Sequence, residues 1–246
     1  MITLQHTLVT LKYLHNNVEE FKKLLPYVLL PDAIRYHLKN RQCSHFEIAK
    51  NQEISWLKFP KDIKNFDPDE LEKHLVDEQY IPKCVIGEET ILSSYEYHNK
   101  DLPTDYYNGV RLHLIQDRVF DTFIRLIFDC SKKYDDIFMY KKQQYNGKEF
   151  RDLIAKMEQQ GVYLLAKQLY EIYGITTNQE WFDINIYPVL KEAYSEEMCE
   201  NTYKYMKIDD DINTLITNHQ FDSMNYIVLE DILEYMYKIV LINSFI

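Results

Sequence analysis

The run Gly109-Val-Arg-Leu-His-Leu-Ile-Gln-Asp-Arg-Val-Phe-Asp121 constrains this chain more than any other segment. Val110, Leu114, Val119 and Phe120, continued by Phe123, Ile124 and Ile127, read as a buried helix. Inside it His113 and Asp117 stand four residues apart, almost above one another on the helix surface. A buried imidazole and a buried carboxylate need partners or a cation to offset their desolvation. The fold must therefore bring polar groups or a metal ion to this pair.

Helical spacing also dominates elsewhere. Leu4, Leu8, Leu11, Leu14, Val18, Phe21 and Leu25 fall at steps of three or four, which predicts an amphipathic helix over 2–25 carrying His6. Pro26 and Pro31 are expected to break it. In Pro31-Asp-Ala-Ile-Arg35, proline suits a first helical turn, and Asp32 can meet free amides or a ligand there. Residues 48–106, with Pro60, Pro68, Pro82 and Pro103, read as an irregular excursion with short strands at 53–59 and 84–93 and a short helix begun by the acidic stretch 67–72. Helical periodicity returns over 106–132 and 148–173, followed by helices over 178–207, 209–217 and 222–243. The expected fold is all-α or mainly α, one multi-helix domain spanning 1–246.

The 246 residues are 46% apolar, enough for a substantial core. Lys and Arg number 28 against 39 Asp and Glu, and the net charge of -11 argues against broad binding to a phosphate backbone. Cys43, Cys84, Cys130 and Cys199 form no Cys-x-x-Cys pair, which excludes a zinc ribbon or a thioredoxin-like motif and fits reduced thiols in a cytoplasmic protein. The N-terminus lacks the pattern of a signal peptide, and no apolar run is long enough to span a bilayer, so stable membrane insertion is not expected. The abundance of Lys, Ile, Asn and Tyr is that of an AT-rich genome, such as a low-GC bacterium or its phage.

Several chemistries lack their motif: the Gly-rich phosphate loop, the Gly-x-Ser-x-Gly elbow, the His-Glu-x-x-His zinc helix and the His-Asp dipeptide. Cys43 and His45 lie two apart, a spacing that points side chains away from each other on a helix. What remains is a set of metal-type donors in order along the chain: His6, Asp32, His45, His113 and Asp117. Zinc favours histidine nitrogen and carboxylate oxygen, and two adjacent ions can share one carboxylate.

In this order, with Asp-x12-His in second and third place and His-x-x-x-Asp at the end, the chain resembles the zinc-dependent phospholipase C and S1/P1 nuclease superfamily. The segments Leu30-Pro-Asp-Ala33, Ser44-His-Phe-Glu47 and Gly109 to Asp117 look like its broader bacterial branch, and the resemblance covers roughly residues 1–130. It implies the all-helical fold of that group. It also implies that Asp32, His45, His113 and Asp117 hold one zinc ion, while Asp117 bridges to a second held by His6 and by the terminal amine and carbonyl, here those of Met1. Past Asp117 the chain departs from the trinuclear pattern: position 123 is Phe, and His219 is followed by Ser223 four residues on. One or two ions are therefore expected.

The implied reaction is hydrolysis of a phosphate ester or phosphodiester, on a phosphorylated small molecule, a nucleotide or a lipid headgroup. In it Asp121 or Glu47 orients a ligand or accepts a proton, and Arg35, Arg41 or Arg111 binds the anionic group. The competing expectation is a non-catalytic intracellular binding or inhibitor protein. It would keep the helical scaffold, at most a structural metal, and aromatic anchors for a protein partner.

Overall fold

The computed structural model describes residues 3–15, 17–38, 48–50, 53–64, 67, 75–76, 88–128, 137–140, 143–146, 148–149, 152 and 179–206. Over these residues the chain is mainly helical. The helices are α1 (Thr3–Tyr13), α2 (Val18–Leu38), α3 (Glu88–His98), α4 (Thr104–Phe128), α5 (Gln179–Asn185), α6 (Tyr187–Ala193) and α7 (Glu196–Lys204). Strands β1 (Ile48–Lys50), β2 (Glu53–Leu57) and β3 (Leu75–Val76) form a small antiparallel sheet in that order, and β4 (Ile137–Tyr140) pairs antiparallel with β5 (Gln143–Asn146).

The core is built on the crossing of α2 and α4, with α1, α6 and α7 packed on α2 and α3 packed on α4. Leu25, Val28, Leu29, Leu30, Ala33 and Ile34 of α2 are fully buried, as is Val110 of α4. Gly109 makes this crossing possible. A Cβ there would overlap that of Tyr27 and come within 3.0 Å of the Leu24 carbonyl oxygen and 3.1 Å of the Val28 nitrogen. The helices meet at backbone distance, and the Tyr27 ring stacks on Tyr106 at 4.8 Å. His113 follows Gly109 by one turn of α4, so this contact sets the depth at which His113 enters the core.

Four expectations are corrected. The first helix ends at Tyr13 rather than 25, and the chain turns there through His15, whose φ of 50° is left-handed. Asn17 then caps α2, accepting from the Glu20 amide at 3.3 Å. Pro26 and Pro31 lie inside α2 and do not break it. Each removes an amide donor and crowds the preceding turn, a cost of about 3 kcal/mol or more in an isolated helix. Here both rings are buried among the apolar residues of α2, and the Tyr194 hydroxyl donates to the Pro26 carbonyl, so tertiary packing outweighs the local penalty.

The strand expected over 84–93 is helix from Glu88 onward, and the excursion at 48–106 contains all of α3. The short sheet β1–β3 is also there, with β2 where the first strand was expected. The helix expected over 178–207 is three short helices, interrupted at Ile186 and at Tyr194-Ser195. Ser195 takes the break as an N-cap, its hydroxyl accepting from the Met198 amide, with Glu196 and Glu197 in the first turn. The helices expected at 67–72, 148–173, 209–217 and 222–243 lie wholly or almost wholly outside the described residues. No helix among the described residues is long and apolar enough to cross a membrane.

Candidate metal centre

Helix α1 is buried from Thr3 to Leu11, although half of that stretch is polar. Leu4, Leu8 and Leu11 form its apolar side. Thr3, His6, Thr7 and Thr10 recur at steps of three and four and so share a second face. On α4, His113, Gln116 and Asp117 likewise share one face, all of them buried. The two polar faces meet. Buried polar groups require partners, so each stripe explains the other.

His6 and His113 stack with ring centroids 3.9 Å apart and planes 15° from parallel. The Asp117 carboxylate lies across their edges, with Oδ1 3.2 Å from His6 Nε2 and Oδ2 3.5 Å from His113 Nε2. Three donor atoms from His6, His113 and Asp117 fall within 4.8 Å of one another. On its other edge His6 Nδ1 lies 2.6 Å from Gln116 Oε1, while Gln116 Nε2 donates to Thr10 Oγ1 at 3.1 Å. Burial, and then the neighbouring His113, lower the His6 pKa to about 4 against the pull of Asp117. His6 is therefore neutral at neutral pH.

Asp32 belongs to a second network, farther toward the start of α1. It is almost fully buried on α2 and accepts from Thr3 Oγ1 at 2.7 Å, with Arg35 Nη1 at 3.7 Å. Since the Thr3 proton serves Asp32, the Tyr36 hydroxyl, 2.6 Å from Thr3 Oγ1, acts as donor to it. Burial and the Asp32 charge hold the Tyr36 hydroxyl above its ordinary pKa, so it keeps that proton. The Tyr36 ring stacks on the exposed Tyr205 at 3.8 Å.

Of the expected donors, the structure thus joins His6, His113 and Asp117 and places Asp32 in the adjoining Thr3 network. Arg35 reaches Asp32 and is one-third exposed. Arg111 pairs with Glu96 on α3 through Nε at 2.6 Å. Asp121 lies on α4 one turn beyond Asp117. Met1, Arg41, His45 and Glu47 lie outside the described residues, as do Cys43, Cys84 and Cys130. Cys199 is buried, which pushes its thiol up to about 11 and keeps it protonated.

The sequence reading missed Thr3, Thr10, Tyr36 and Gln116. A signal for three of them was present: polar residues at helical steps within apolar runs mark an inward polar face as surely as leucines mark an apolar one. A separate cleft of about 640 Å³ opens between α5, α6 and α7, lined by Asp183, Tyr187, Glu200, Asn201, Tyr203 and Lys204. Its carboxylates already accept protein donors, Asp183 from the Tyr203 hydroxyl and Glu200 from that of Tyr187. Comparison of the chain with known protein families, curated proteins and solved structures finds no match.

Proposed function

We propose that this chain is a metal-dependent hydrolase of phosphate esters whose cation is held by His6, His113 and Asp117. One observation carries the reading: two buried, stacked imidazoles direct their Nε2 atoms at the two oxygens of one buried carboxylate. Tetrahedral zinc with bonds of about 2.0–2.1 Å separates neighbouring ligand atoms by about 3.3 Å. The spacings of 3.2 and 3.5 Å, one to each carboxylate oxygen, lie near that value, and one donor atom from each of the three residues falls within 4.8 Å of the other two. Because each imidazole faces its own oxygen, the carboxylate suits one ion or a bridge between two, in line with the resemblance to the phospholipase C and S1/P1 nuclease group.

When bound, a zinc-class cation supplies Lewis acidity toward a phosphoryl oxygen and activates water near neutral pH. The chain's own residues prepare for it. Burial keeps His6 neutral, as a metal ligand must be, and Asp117 supplies the compensating negative charge. Arg35, one-third exposed beside Asp32, is a guanidinium suited to an anionic phosphoryl group. Asp32 limits its reach and orients it.

The burial of all three donors favours a second reading, a structural cation in a non-catalytic binding protein. One experiment separates them. Metal content is measured by mass spectrometry on the zinc-reconstituted protein and on His113→Ala and Asp117→Ala, and the same samples are assayed on bis-p-nitrophenyl phosphate. Zinc and turnover lost together in both variants support the hydrolase. Zinc retained without turnover in the wild type supports the structural cation, and no zinc uptake refutes both.

A further inference from the structure

We propose that Gln116 is a positioning residue for His6, holding the imidazole in the Nδ1–H tautomer so that the bare Nε2 faces Asp117. Gln116 is fully buried and precedes Asp117 on α4. Both ends of its amide are used. Nε2 donates to Thr10 Oγ1 at 3.1 Å, which turns Oε1 toward His6 Nδ1, 2.6 Å away. An amide oxygen carries no proton, so the proton of that short contact sits on His6 Nδ1. A neutral imidazole has only one, and Nε2 is left with its lone pair. On its other edge His6 Nε2 faces Asp117 Oδ1 at 3.2 Å, the side from which a cation would be held.

Thr10 and His6 are one turn apart on α1, so a single turn of that helix grips both ends of Gln116. With an apolar side chain at 116, Nδ1 would lose its acceptor. The proton would then be better placed on Nε2, donated to Asp117, an arrangement that closes the gap a cation needs. The tautomer follows from the hydrogen bonds alone; its consequence for metal affinity rests on the reading of the site given above.

The test uses the full chain, labelled with nitrogen-15 at histidine and stripped of metal, with His6 signals identified by their loss in His6→Gln. Long-range proton–nitrogen correlation should show His6 protonated at Nδ1 in the wild type. Gln116→Leu should move the proton to Nε2, whereas Gln116→Glu, which restores an acceptor, should return it to Nδ1. Zinc competition should then show a loss of about 10- to 100-fold for Gln116→Leu and near wild-type affinity for Gln116→Glu. An Nε2–H tautomer in the wild type, or an Nδ1–H tautomer unchanged in Gln116→Leu, overturns the proposal. Should Gln116→Leu not fold, Gln116→Met, of glutamine's length and without the amide oxygen, replaces it, and there too an unmoved proton counts against the proposal. A wild type with Nδ1–H that binds no zinc leaves the tautomer assignment standing and removes the metal reading.

Discussion

Gly109→Ala should destabilise the protein even though helix propensity favours it. Alanine is better than glycine in a helix interior by about 1 kcal/mol. Against this gain stands the added methyl, which overlaps the Tyr27 Cβ and sits 3.0 and 3.1 Å from two backbone atoms of α2. Carbon atoms prefer about 3.5–4.0 Å, and none of these three neighbours can rotate away. The two helices must separate, at the upper end of the roughly 1–3 kcal/mol that overpacking costs. The net loss is then about 2 kcal/mol, a fall in melting temperature of about 4–8 °C for a chain of this size. Asn108→Ala is the control: exposed on the same turn, it takes the propensity gain without the clash and should melt at or slightly above the wild type. Calorimetry on the three proteins decides it. A Gly109→Ala protein as stable as the wild type would mean that α2 and α4 do not meet at backbone distance. Since His113 lies one turn on, the same substitution should also weaken the zinc binding proposed above.

Other outcomes follow from single contacts. The unfolded chain protonates His6 near 6.5 and the folded one only near 4, so in between the unfolded state carries the extra proton. Stability of the metal-free protein should therefore fall by roughly 3 kcal/mol as pH drops through that window, and His6→Gln should lose this part of the slope in urea titrations at stepped pH. Thr3→Val removes the hydroxyl that donates to buried Asp32 and should cost about 1–3 kcal/mol by the same titration. Tyr194→Phe removes the buried hydroxyl that donates to the Pro26 carbonyl, with an expected loss of about 0.5–1.5 kcal/mol; an unchanged melting temperature would show that α2 needs no such support.

The helical class was legible because leucine, isoleucine and valine at three- and four-residue steps have one reading in a chain of this composition. The joining of His6 to His113 and Asp117 was suggested only by the order of donors, because the polar steps of α1 mark an inward face without naming the helix it meets. The prolines of α2 misled for a definite reason. Proline penalties are local, whereas the burial of Val28, Leu29 and Leu30 and the hydroxyl from Tyr194 are supplied by the rest of the chain. Gly109 was noticed as the start of a motif, yet its value as the point of contact between α2 and α4 is a property of two helices at once. The turn at His15 carried little signal, since histidine in a left-handed conformation is uncommon.

The pairing of the first helix with the fourth also sets an order of events during synthesis. At about 5–20 residues per second, a ribosome needs roughly 5–20 s to travel from His6 to Gln116. Through that interval His6 and Thr10 lack the α4 side of their polar contacts, and the helix is too short to persist alone in water. Helix α1 is thus fully seated only once α4 is made, and a nascent chain stalled before residue 117 should leave α1 open to proteolysis.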